Sequence, residues 1–105
     1  MMELKEFLEI SILLGYYGNL LSDKQRTYME EHFEDDFSLS EIAKSHGISR
    51  QAVYDNIKRG IKILKGYEEK IGFLKREKEI RDSLKELKAD YSEAKLDSLI
   101  ASFDI

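Results

Sequence analysis

A chain of 105 residues is long enough for one domain, or one domain with a helical extension, and can bury a usable core. It contains no Pro and no Cys, which excludes disulfides and thiolate metal sites, favours an all-α fold and fits a reducing, cytoplasmic setting. A net charge of −4 disfavours general attraction to polyanions, and the longest apolar run is too short to span a bilayer, so no membrane insertion is expected.

The first helix is expected over residues 3–17. Leu4, Phe7, Leu8, Ile10, Ile12, Leu13, Leu14, Tyr16 and Tyr17 give it more apolar residues than one stripe requires. Such a helix must be covered on more than one side. Two readings stay open: a central core helix in a small bundle, or a helix whose outer surface closes a dimer interface. Gly18 and Asn19, which tolerate positive φ, are expected to end it. A second helix should begin at Ser22, with Gln25 placed for a capping box, and carry Tyr28, Met29 and Phe33. The run Glu34-Asp35-Asp36 reads as a solvated turn, since it lacks the alternating oxygen ligands and turn glycine of a calcium loop.

From Phe37 to Leu64 the signals become dense. Ser38 and Glu41 form an S-x-x-E capping box, and Phe37 and Ile42 flank it as a hydrophobic staple. The short helix should stop near Ser45-His46, where Gly47 can turn the chain through a left-handed conformation. Ser49 then caps another helix, with Ile48 and Val53 placed for a second staple. Two capped helices joined by a short turn make a helix-turn-helix over about residues 38–65.

The second of these helices places Val53, Ile57, Ile61 and Leu64 on one face. Charge is segregated along the chain: residues 1–43 carry −7, residues 44–65 carry +5 and residues 66–105 carry −2. In a helix-turn-helix the second helix enters the major groove, with residues near its N-terminus facing base edges. Ser49, Arg50, Gln51, Tyr54 and Asp55 occupy those positions. Arg50 can donate twice to guanine O6 and N7, and Gln51 can pair with adenine N6 and N7. Tyr54 can meet a thymine methyl or simply stabilise its own helix. Asp55 can accept from cytosine N4 or repel phosphate. Lys58, Arg59 and Lys62 lie farther along and suit phosphates, as does Lys44 on the preceding helix.

Residues 67–89 are rich in Lys and Glu, with opposite charges three or four apart and Gly72 as a weak point in the helix. A last helix is expected over residues 92–101. The expected division is therefore 1–66 for the helix-turn-helix domain and 67–105 for a charged helical extension. His32 and His46 have no zinc-binding spacing, and neither a glycine-rich phosphate loop nor a nucleophile elbow occurs. No enzyme, cofactor or metal is expected.

The stretch SLSEIAKSHGISRQAVYDNIKRG resembles the helix-turn-helix of sigma-factor region 4, with Ala43 at the small crossing position. The upstream LSDKQRTYMEEHFEDDFS, the length and the charged tail together resemble the YlxM-like family, which is assigned to DNA binding. The likeness covers nearly the whole chain. It departs at His46, where the sigma-like pattern has a larger aliphatic residue. The resemblance implies that the second helix points its start at the DNA backbone, so that Lys24, Arg26 and Thr27 contact phosphate. It also links the chain, by gene neighbourhood, to the bacterial signal recognition particle pathway. The sequence thus predicts an all-α bundle with a sigma region 4-like helix-turn-helix, acting as a homodimeric transcriptional regulator on double-stranded DNA. The alternative is an interaction adaptor, or an RNA-binding accessory, of the signal recognition particle pathway.

Overall fold

The computed structural model describes residues 2–103. Six α-helices follow one another: α1 Leu4–Tyr17, α2 Asp23–Phe33, α3 Leu39–His46, α4 Arg50–Ile71, α5 Phe73–Ala89 and α6 Glu93–Ala101. A 3₁₀ turn, Gly18–Leu20, joins α1 to α2, and no strand occurs among the described residues. The all-α bundle expected from composition is what forms. Among the described residues, no helix is long and apolar enough to cross a membrane. The chain divides into two compact units, Met1–Gly72 and Phe73–Ile105.

In the first unit, α4 is the spine against which α1, α2 and α3 pack. Its buried stripe is Val53, Ile57, Gly60 and Leu64, at spacings of four, three and four that keep one face inward. Onto that stripe come Ile10, Leu13, Leu14 and Tyr17 from α1, Tyr28, Met29 and Phe33 from α2, and Ile42 and Ala43 from α3. Full burial of each large apolar side chain contributes roughly 1.5–3 kcal/mol, so these residues dominate the unit's stability. Tyr17 is enclosed but not orphaned, because its hydroxyl donates to Glu68 Oε1 at 2.8 Å.

Two details differ from the sequence reading. Gly18 does not take positive φ; it stays right-handed at φ −56° and tightens the end of α1 into the 3₁₀ turn. It is buried there, and a β-carbon would lie 3.3 Å from Leu14 Cδ1, so the glycine makes room rather than reversing the chain. The second difference concerns α4, which passes Gly66 without a break and ends only at Ile71. The change in charge pattern after residue 66 leaves the backbone helical, and Gly72, at φ 75°, caps the helix. The boundary between the two compact units falls after Gly72.

The caps form as their chemistry requires. Ser38 Oγ accepts from the Glu41 amide at 3.1 Å while Glu41 Oε1 accepts from the Ser38 amide at 3.0 Å. That bond, then the hydroxyl contact, holds the Glu41 carboxyl below its usual range. A depressed folded pKa adds stability above the unfolded value, and that stability is lost as pH falls through the folded value. Glu41→Gln is therefore expected to flatten the loss of melting temperature on acidification below about pH 4. Ser38→Ala should cost about 1 kcal/mol at neutral pH. Thermal unfolding of both variants at neutral and acidic pH is the check; a Glu41→Gln protein as acid-sensitive as the wild type would remove Glu41 from the account.

Candidate nucleic-acid interface

The turn between α3 and α4 is built by backbone closure. Gly47 takes φ 66°, the left-handed region open to glycine, and the Ile48 amide returns to the Ala43 carbonyl at 3.1 Å. Ser49 Oγ then accepts from the Ala52 amide at 3.0 Å and starts α4. His46 is the last residue of α3, where the helix is expected to stop. Its Nε2 lies 2.7 Å from Glu31 Oε2 on α2, and its ring meets Tyr28 edge-on at 5.0 Å. The residue that departs from the sigma-like pattern is thus a polar strut from the turn to α2. Nothing local in the sequence signals it, because Glu31 is fifteen positions away.

Opposite the buried stripe of α4, the residues singled out from sequence share one exposed side. Gln51, Tyr54, Asp55, Lys58 and Lys62 fall within about a third of the helix circumference, at roughly 100° per residue. Arg50 is exposed in the first turn and has no polar partner among the described residues. Two pairs organise the face. Gln51 Nε2 donates to Asp55 Oδ1 at 2.9 Å, and Lys58 Nζ stands 5.9 Å from the centre of the Tyr54 ring. The first pair was legible in the i, i+4 spacing. It commits one amide hydrogen of Gln51 and partly satisfies the carboxylate that sits among the basic residues.

Other positions are engaged locally. The Ser49 hydroxyl oxygen is taken by its own helix cap. Arg59 reaches Asn56 Oδ1 at 3.4 Å, a long contact that an anion can replace. Lys44 is exposed on α3. On α2, Lys24 and Thr27 are exposed, whereas Arg26 donates to Asn19 Oδ1 at 3.0 Å and pairs with Glu30 at 3.0 Å. Exposed pairs of that kind are worth about 0–1 kcal/mol, so they orient Arg26 more than they hold it. Ser22 Oγ accepts from the Gln25 amide at 3.3 Å, forming that half of the predicted box at the start of α2.

A capped short helix, a left-handed glycine turn and a longer helix with one buried and one basic exposed face define a helix-turn-helix protein. The chain belongs to the family described as "Putative helix-turn-helix protein, YlxM / p13 like", whose model matches residues 4–102. It is 52% identical over 99 residues to a protein of Fusobacterium nucleatum, covering 94% of this chain and 96% of that relative. It is also similar to YlxM of Bacillus subtilis, at 47% identity over 89 residues covering 82% of this chain and 81% of the relative. With YofM of Lactococcus lactis it shares 45% identity over 91 residues, or 87% and 82% of the two chains.

Proposed function

We propose that this protein reads double-stranded DNA with the exposed face of α4, as a sequence-selective transcriptional regulator of the cytoplasm that works as a homodimer. One observation carries the reading: the +5 segment of an otherwise acidic chain coincides with the outward side of a well-capped helix-turn-helix. Arg50 and Gln51 stand at the helix start, where groove-entering helices meet base edges. Lys44, Lys58, Arg59 and Lys62 surround them as phosphate contacts, and Lys24, Arg26 and Thr27 extend that set from α2. Asp55 limits attraction to arbitrary sequences, so binding depends on the bases met.

The test is selection of random duplexes on the purified protein at near-physiological salt, with an Arg50→Ala, Gln51→Ala double variant beside it. The expected outcome is an enriched motif that the double variant loses, with two-fold symmetry if a dimer reads it. Absence of enrichment, or salt-labile binding unaltered by the substitutions, would sink the reading. A second reading, an adaptor or RNA-binding accessory of the signal recognition particle pathway, is favoured by the carboxylate of Asp55 in the middle of the exposed face. Under it, the same substitutions leave partner binding unchanged.

A further inference from the structure

Gln51 and Asp55 stand one turn apart on the exposed side of α4, and Gln51 Nε2 donates to Asp55 Oδ1 at 2.9 Å. The carboxylate has cations placed for an ion pair, Lys58 three positions on and Arg59 four. It pairs with neither among the described residues. Lys58 stands by the Tyr54 ring, and Arg59 turns to Asn56 Oδ1. The direct partner of Asp55 there is the glutamine amide.

That bond restricts what Gln51 can read. A carboxylate only accepts, so the end of the Gln51 amide that meets Asp55 is the nitrogen. An amide has two hydrogens on nitrogen and one acceptor oxygen. With one hydrogen held by Asp55, one donor and one acceptor remain. Adenine shows an acceptor at N7 and a donor at N6 on its major-groove edge, which matches that remainder. Guanine shows two acceptors, N7 and O6. A free glutamine amide can turn both hydrogens to guanine, and one tied to Asp55 cannot. Thymine and cytosine each offer a single polar group, so neither engages both remaining functions.

We infer that Asp55 is a positioning residue for base reading: by holding the Gln51 amide it selects adenine at one position and rejects guanine there. It acts through Gln51 and does not itself pair with a base. Glutamine is among the side chains that lose most rotamer freedom when ordered, and a tether formed in the free protein removes part of that loss in advance. The arrangement also gives an acid a purpose on a face otherwise suited to phosphate. Its charge weakens attraction to any duplex, and its hydrogen bond discriminates against the wrong purine.

This inference rests on the proposed DNA reading and names one base within it. Selection of random duplexes is run on the full-length wild type, Gln51→Ala, Asp55→Ala and Asp55→Asn. Titrations then compare duplexes that differ only at the position lost with Gln51→Ala. The wild type is expected to favour adenine over guanine there by roughly 5- to 100-fold, the scale of one good bidentate pair. Asp55→Ala should bring the two purines near parity and leave the position read by Arg50 unchanged. Asp55→Asn should keep adenine, because its amide oxygen still accepts from Gln51. Both variants lose the same charge, so both should bind arbitrary duplexes more tightly, and only the hydrogen bond separates them. Both sites are exposed, and unchanged helical circular dichroism checks that the variants fold. Adenine preference retained in Asp55→Ala, or lost equally in Asp55→Asn, overturns the inference and leaves DNA reading intact. So does a motif in which the Gln51-dependent position is another base, or in which no position depends on Gln51. A wild type that enriches no sequence overturns the DNA reading itself.

Discussion

Replacing Gly60 by leucine is expected to lower the stability of the first unit by about 1–3 kcal/mol, the usual penalty for overfilling a packed core. Gly60 is buried in the middle of α4, and a β-carbon there would lie 3.0 Å from Met29 Sδ and 3.2 Å from its Cγ. Met29 is itself fully buried, so it has little room to move aside. The closeness of α2 to α4 depends on this absent side chain. Met29→Ala should cost more, about 2–5 kcal/mol, because it removes a filled volume and leaves a cavity. The double variant supplies the sharper check. Leucine at position 60 can occupy the space vacated at position 29, so the combined loss is expected to fall below the sum of the single losses. Urea unfolding at constant m-value measures all three. Strict additivity would show that the two positions do not share one space.

On DNA, Arg50→Ala and Lys58→Ala are expected to fail differently. Loss of the Arg50 guanidinium should cost about 1–3 kcal/mol on the preferred duplex and relax preference at one base position. Affinity changes about tenfold for each 1.4 kcal/mol, so a direct titration resolves this readily. Loss of Lys58 should weaken preferred and arbitrary duplexes alike, and make the salt dependence shallower by about 0.9 in log–log slope. Its ammonium group stands near the Tyr54 ring, exposed and available to phosphate. Asp55 complicates the comparison usefully. Because it accepts from Gln51, its removal frees the glutamine amide and deletes a negative charge in one step. Equal losses on every sequence for Arg50→Ala and Lys58→Ala would show that α4 reads charge and not bases.

Most of the helix-turn-helix was legible residue by residue because its determinants are local. The Ser38–Glu41 box, the Ser49 cap and the left-handed Gly47 each depend on groups within a few positions of one another. The exposed side of α4 followed from periodicity alone, since the apolar residues fix which side must turn outward. Periodicity did less well where glycine stands among apolar residues. Periodicity places Ile61 on the buried stripe, but it is only half-buried, and the buried residue beside it is Gly60. A residue without a side chain carries no hydropathic signal, and its value appears only when Met29 arrives from another helix.

Sequence patterning was thus sufficient for the all-α class, the two capped helices of the motif and the basic outward face of α4, because caps, turns and 3.6-residue periodicity act over a few positions. It left α1 ambiguous between a core helix and an interface, and that ambiguity has a physical origin. Hydropathy counts apolar residues on every side of a helix but does not say which sides have neighbours. The tertiary structure places Ile10, Leu13, Leu14 and Tyr17 in the core and leaves Leu4, Leu8 and Ile12 outside it. It likewise decides the His46–Glu31 strut and the Met29–Gly60 approach, which join residues far apart in the chain. Contacts of that kind depend on how the helices cross, and the crossing is settled only when all their side chains are packed together.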